Sequence, residues 1–429
     1  MKKFNLLIGA FALAGLVACS SEDVVKEQNL QALQTTQGIT FSPLSKNATR
    51  STVLSKTSDM TSFRVLGKWA QNITAADAQE LFINGTNAGK TAEISEGTVY
   101  EGFGANTPKG LEIVANGGGW DYKNTTDIQY WPFVGTQVTP ATATNPATYS
   151  AFTCQALDFY AVTPANCALD LTANTWNGYT TPAVANMADI CYAQAKGKTN
   201  AAGAVNMEFK HLLSQIIFKA KKNTGYVVDI KSVKIGGVKP EGDMKSLDLY
   251  TTTFTKDNIT TFWDAKGTAT AYDGYTSAAA FSVPDQDASD VPATLTPSKQ
   301  ELLLIPQVID KWDATLSATA SGKGYIAITY RLKLNTAATW ATDEGNGTGY
   351  TTTYFPLEAF WAPGKLYVYT LLFGGATDPG HTPDPENPDP GDDNPGGYTE
   401  EGGVKPPSVP ITFTASVSDW ESTSVDVKF

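Results

Sequence analysis

From residue 62 to residue 374 the chain is a series of short stretches in which apolar and polar residues alternate, each cut off by glycine, proline or asparagine. A period of two puts successive side chains on opposite faces of an extended backbone, so each stretch reads as a strand with one buried face. SFRVLGKWA (62–70), KTAEISEGTVY (90–100), GLEIVANGGGW (110–120), ALDFYAVTP (156–164), GYIAITYRLKL (324–334) and KLYVYTLLF (365–373) follow it. IQYWPFVG (128–135) is aromatic, and Pro132, which has no N–H, belongs at an edge or a strand end. MADICYAQA (187–195) is a short apolar segment, and ELLLIPQV (301–308) is a buried run closed by Pro306. SVKIGGV (232–238) reads as a strand with a glycine turn. VNMEFKHLLSQIIFKAKK (205–222) puts Met207, Phe209, His211 and Leu213 on one face if extended, continued by Ile217 and Lys219. Its apolar residues also suit a helix, and AADAQEL (75–81) suits a single helical turn. No long periodic helix interrupts the strands. Such a pattern builds an all-β chain of antiparallel sandwiches. With 429 residues and 41% hydrophobic content there is enough chain for two, expected at 51–204 and 205–374.

Both ends of this body carry a similar strand. Residues 39–44 read ITFSPL, with Ile39 and Phe41 on one face. Residues 411–429 read ITFTASVSDWESTSVDVKF, where Ile411, Phe413, Ala415 and Val417 alternate with Thr412, Thr414, Ser416 and Ser418. A body that begins and ends with one strand pattern suggests one slot with two fillers. Before the second strand lies 375–410, dominated by proline, glycine and carboxylates. That composition makes an extended, self-repelling linker. Its acidic residues (Asp384, Glu386, Asp389, Asp392, Asp393) do not match an EF-hand calcium loop.

The amino-terminal residues set the expected compartment. Lys2 and Lys3 precede an apolar run, Asn5 to Val17, which is too short to span a bilayer and reads as a secretory signal. It ends Leu16-Val17-Ala18-Cys19, which resembles a bacterial lipobox with Cys19 acylated, so 1–19 is the signal segment. Ser20-Ser21-Glu22-Asp23 is similar to the export tag of surface lipoproteins in Bacteroidota. Residues 20–50 then form a polar tether followed by the first strand. Arg50 lies in a small, polar segment suited to proteolysis, with Lys46 and Lys56 as the other basic candidates.

The net charge of -12 excludes a basic nucleic-acid face. A catalytic constellation is not found. Of two histidines, His381 lies in the linker and His211 in an apolar strand pattern, where a hydrogen-bonded core role is expected. No phosphate loop, HExxH or nucleophile elbow occurs. Cys154, Cys167 and Cys191 match no metal-ligand spacing, and either a Cys154–Cys167 disulfide or three buried thiols fits them. No metal and no cofactor are expected. Trp120, Tyr130 and Trp131 could stack on sugars, so a surface glycan-binding lipoprotein is the alternative from a different class.

Taken in order, CSSED, ITFSPLSKNATR, IQYWPF, VNMEFKHLLSQIIFKAK, LLLIPQ, WAPGKLYVYTLLFG and ITFTASVSDW resemble the fimbrillin-like proteins of Bacteroidales, the superfamily of type V pilus subunits. The resemblance implies a structural subunit rather than an enzyme, built from two transthyretin-like β-sandwich domains with a C-terminal donor strand. It implies export to the outer membrane as a lipoprotein and removal of the first strand by an arginine- or lysine-specific protease. The vacated groove would then take a neighbour's C-terminal strand. Carried onto this sequence, Cys19 is lipidated, Arg50 is the cleavage position, Ile39 and Phe41 belong to the removable strand, and Ile411, Phe413, Ala415 and Val417 belong to the donor. The implied partners are other pilus subunits, the outer membrane through the lipid, and the processing protease. A stalk, anchor or tip position in the pilus is open. The lipobox predicts that Cys19→Ala abolishes incorporation of radiolabelled palmitate while the chain is still exported; labelling of that variant would overturn the assignment.

Overall fold

The computed structural model describes residues 38–44, 60–74, 79–84, 86–90, 93–104, 106, 108–117, 119–140, 142–144, 148–245, 249, 252–284, 291–296, 301–342, 347–374, 398–401 and 411–419. Cys19 and Arg50 lie outside them. Among the described residues the helical segments are 3-10 turns of three or four residues, and the rest of the regular structure is strand.

The first described strand, Phe41–Leu44, forms one edge of a seven-stranded sheet. Next come Val205–His211, Cys191–Lys198, Leu157–Thr163, Ser62–Trp69, Leu111–Asn116 and Gly119–Tyr122. Neighbours are antiparallel except at that edge, where Phe41–Leu44 runs parallel to Val205–His211. The sheet curls until its two edges approach, with the Phe41 ring 6.2 Å from Tyr122 on the opposite edge strand. A four-stranded sheet accompanies it, ordered Thr86–Lys90, Gln79–Ile83, Phe133–Thr139 and Thr148–Cys154. Leu81 from this sheet joins the main core, while Phe82 packs on Tyr149 and Phe152 in a small separate cluster.

The second half is built mainly from two further sheets. Ser214–Lys222 and Lys365–Phe373 pair in parallel over eight residues, and Ile411–Asp419 adds antiparallel to the far side of Lys365–Phe373. Facing them are Thr270–Ser282, Tyr226–Val238, Tyr325–Leu334 and Thr351–Pro356, all antiparallel. Ring contacts between the layers, Tyr330 to Phe373 at 5.5 Å and Phe355 to Phe413 at 4.5 Å, mark a sandwich. A small sheet of Trp176–Thr180, Glu241–Met244 and Trp263–Lys266 ties the halves together, and one contiguous apolar core runs from Ile39 to Phe413.

Several sequence expectations need adjusting. VNMEFKHLLSQIIFKAKK is two strands, not a helix, with a break at Leu212–Leu213. Both leucines are buried there. The inward phase therefore slips, and Ile216, Phe218 and Ala220 face the core in place of Ile217 and Lys219. Three hydrogen bonds hold the break: Leu212 N–H to Ile190 O at 2.9 Å, Trp263 Nε1–H to Leu212 O at 3.0 Å, and Gly364 N–H to Leu213 O at 2.9 Å. The crossing between sheets thus falls one strand later than 204/205. SVKIGGV contains no turn. The strand Tyr226–Val238 runs through it, with a register shift at Ile235–Val238 and Gly237 at φ 79, where an added Cβ would meet the Lys323 carbonyl carbon at 2.4 Å. Gln79 to Leu81, assigned to a helical turn, lie in the strand Gln79–Ile83, and the rest of that segment falls outside the described residues. The three cysteines form no disulfide. Burial pushes the Cys167 thiol up to about 11, against the opposing pull of Arg64.

The strand Ser62–Trp69 is buried on both faces, because its polar face carries two cations that bind a loop. The Arg64 guanidinium donates to the carbonyls of Lys109 (2.5 Å), Ala165 (3.2 Å), Cys167 (2.7 Å) and Leu169 (2.9 Å). Four residues on, Lys68 donates to Thr172 O at 2.7 Å. Removing the guanidinium strands several buried carbonyls at once. Arg64→Met is therefore expected to cost about 3 kcal/mol, read as a lower urea midpoint with an unchanged denaturant slope.

Candidate functional site: two strand slots

Edge positions are where a strand can be exchanged, because an edge holds its neighbour on one side only. Ile39 and Phe41 sit two residues apart and point the same way, and both are buried, at 0% and 4% exposure. Thr40 between them is exposed. The backbone is gripped on two sides. Ile39 N–H donates to Gln129 O at 2.7 Å, Val205 N–H donates to Thr40 O at 2.8 Å, and the ladder runs from Phe41 opposite Val205 to Leu44 opposite Glu208. The Phe41 ring packs edge-on to Phe159 at 5.3 Å and to Phe63 at 6.3 Å. Beside this strand runs an open groove of about 690 Å³, bordered by Ile113, Trp120, Tyr122 and Ile128 where the curled sheet stops short of closing.

The terminal strand repeats the arrangement in a different place. Ile411 and Phe413 are fully buried, Ala415 is half-buried, and Val417 is exposed. Nine antiparallel pairs run from Phe373 opposite Ile411 to Lys365 opposite Asp419, where a Lys365–Asp419 ion pair closes the end. A second groove, about 700 Å³, opens beside Ala415 to Val417 and is walled by Phe254, Phe360 and Tyr367. The sequence suggested one slot with two fillers. Within one chain there are two slots, each filled by its own strand.

The linker expected at 375–410 has a fixed point within it. Tyr398 and Tyr354 exchange both backbone hydrogen bonds, each at 2.9 Å, and the Tyr398 ring lies 5.7 Å from Trp312. Ala318 N–H donates to Glu400 O at 2.8 Å. A lone tyrosine among prolines and acids was the available signal. Of the aromatics considered for sugar stacking, Trp131 is buried at 3% exposure against Phe159, so its face is closed to a ligand. Trp120 and Tyr130 are half-buried beside the first strand.

His211 is a buried, hydrogen-bonded histidine, with Nδ1 2.9 Å from Asp189 Oδ2. Cys191 Sγ lies 3.3 Å from the same Nδ1. This grouping was not visible in the sequence, since Asp189 and Cys191 lie some twenty residues from His211 and meet it only through strand pairing.

The fimbrillin-like family pattern matches residues 70–384, and the chain belongs to the fimbrillin-like family. The matched region includes neither Phe41–Leu44 nor Ile411–Asp419. Similar solved structures include a candidate cell adhesion protein of Bacteroides ovatus (14% identity, covering 71% of this chain and 84% of that one, TM-score 0.30) and one of Bacteroides eggerthii (12%, 88% and 92%, 0.32). Another is the tip fimbrial protein Mfa3 of Porphyromonas gingivalis with C-terminal truncation (7%, 86% and 97%, 0.30). No curated protein matches the sequence. Membership rests on the family pattern, not on these likenesses.

Because Phe413 inserts between the layers, Phe413→Ala is expected to cost about 3 kcal/mol of docking energy. Hydrogen exchange should then speed up at 411–419 and along the edge of 365–373, while the amides of 41–44 keep their protection.

Proposed function

We propose that this chain is a structural subunit of a type V pilus. In this reading it is exported to the outer membrane as a lipoprotein through Cys19, cut after Arg50, and polymerised at the cell surface by strand exchange between subunits. The observation that supports it best is the paired design of the two ends. Ile39-Thr40-Phe41 and Ile411-Thr412-Phe413 carry the same residues, each with the isoleucine and phenylalanine buried at a sheet edge.

Cleavage at Arg50 would free the first strand from the chain. Its departure would expose the pockets of Ile39 and Phe41 and the unpaired edge of Val205–His211, which is costly until the edge is paired again. A donor that reproduces the lost pairing runs parallel to Val205–His211 and sets Ile411 and Phe413 in those pockets. Each of the two side chains contributes about 1.5–3 kcal/mol on burial, before ordering costs. Ala415 and Val417 would continue the same face along the groove. The donor must first leave its own slot, so polymerisation exchanges one docked strand for another and does not simply add one.

The carrying experiment is assembly of Arg50→Ala. A lipidated monomer without polymer ladders is expected, and normal ladders would overturn Arg50 as the cleavage position. Deleting 411–429 tests the donor separately: processing should continue while polymer is lost, and polymer formed without those residues would overturn the donor assignment. Amino-terminal sequencing of fibre-bound protein separates the positions in the pilus. A start after Arg50 marks a processed stalk or tip subunit, whereas a lipidated Cys19 would mark an anchor.

A further inference from the structure

We propose that Asp189, Cys191 and His211 form a buried zinc site where the chain passes from the first sandwich to the second. This inference does not depend on strand exchange. Asp189 and Cys191 are two residues apart, and Cys191 stands directly across the ladder from His211. The three ligand atoms lie within 4.8 Å of one another, and the residues are 3%, 2% and 5% exposed.

The geometry at one atom points to a metal. His211 Nδ1 is 2.9 and 3.0 Å from the two Asp189 oxygens and 3.3 Å from Cys191 Sγ. That nitrogen carries either one proton or one lone pair. If it carries the proton, the carboxylate accepts and the sulfur is at most a weak second acceptor. If it carries the lone pair, the thiol donates and the carboxylate faces another acceptor. Nδ1 is thus shared between a carboxylate and a sulfur, and a divalent cation held among the three would be ligated by all of them.

The same geometry argues against a nucleophilic triad. There the thiol and the carboxylate must engage opposite ring nitrogens so that the ring can relay a proton. Here both face Nδ1.

The donor set selects the ion. A thiolate and an imidazole are poor ligands for calcium or magnesium, while nitrogen, sulfur and oxygen together suit zinc. Tetrahedral coordination at ordinary bond lengths separates such donors by roughly 3.3–3.6 Å. Loading therefore needs Asp189 and Cys191 to part from His211 Nδ1 by a few tenths of an ångström and to settle at the same spacing from each other, and it releases the Cys191 thiol proton to solvent. Three protein ligands leave the fourth position to a water. The effect is structural. The ion would bind the start of Cys191–Lys198 to the end of Val205–His211, one residue before the break at Leu212–Leu213. It would also stiffen the strand on which the first strand docks.

The test is titration of the chelator-stripped full chain with cobalt(II). Tetrahedral d–d bands and a thiolate-to-cobalt charge-transfer band should saturate at about one equivalent and be displaced by zinc. Zinc should also raise the thermal midpoint. Cys191→Ser should lose the charge-transfer band, and His211→Gln should weaken binding by more than about tenfold. The combined variant Cys19→Ala, Cys154→Ser, Cys167→Ser, which retains Cys191, should keep the band. It decides the matter even where Cys191→Ser fails to fold. A folded wild-type chain without the band, a band that survives in Cys191→Ser, or its loss in the combined variant would overturn the site.

Discussion

A β-sheet edge presents a row of N–H and C=O groups that must find partners, and this molecule meets that constraint with its own two ends. Phe41–Leu44 covers one edge of the first sheet and Ile411–Asp419 covers one edge of the second. In both cases the cover has the same two elements: backbone pairing to one neighbour, and an isoleucine and a phenylalanine two residues apart set into the core. The two covers differ in reinforcement. The first is a short parallel pairing helped by the bond from Ile39 to Gln129, whereas the second is an antiparallel ladder of nine pairs with a ring inserted between layers. Antiparallel pairing is somewhat stronger per residue, so the terminal strand is the better-held of the two.

The interior follows from how the halves are joined. Val205–His211 ends the first sheet and Ser214–Lys222 begins the second, with two buried leucines between them. Ser214–Lys222 then pairs in parallel with Lys365–Phe373, whose other side carries the terminal strand. The supports of both covers are therefore linked through a few residues around Leu212, in a core without a gap between the sandwiches.

Much of this was legible because alternation is a local property. GYIAITYRLKL and KLYVYTLLF could be read as strands without knowing their neighbours, and Tyr325–Leu334 and Lys365–Phe373 are the result. Legibility failed where the cause was not local. Nothing in HLLSQIIF says that the chain changes sheets, so the slip in phase at Leu212–Leu213 was hidden and Ile217 was assigned to the wrong face. Gly237 looked like a turn because its role depends on Lys323, far along the chain. Trp131 suits a sandwich core or rim better than a sugar-binding surface, and it lies in the core against Phe159. The convergence of Asp189, Cys191 and His211 needed strand register, which no spacing rule contains. The likeness of the two ends was visible at once. That each fills its own slot was not, because an alternating pattern specifies a face and not a partner.

The docking of Tyr398 on Tyr354 and Trp312 has a mechanical consequence. It divides the sequence between the last core strand and the terminal strand into two lengths, 375–397 and 402–410. With Tyr398 to Glu401 held, a terminal strand that leaves its slot trails only residues 402–410, a reach of about 30 Å at full extension. If that hold opens as well, the tether grows to residues 375–410, a reach of about 120 Å. The contacts of Tyr398 and Glu400 thus set a fourfold difference, nine residues against thirty-six, in the length of chain that joins the terminal strand to a held point.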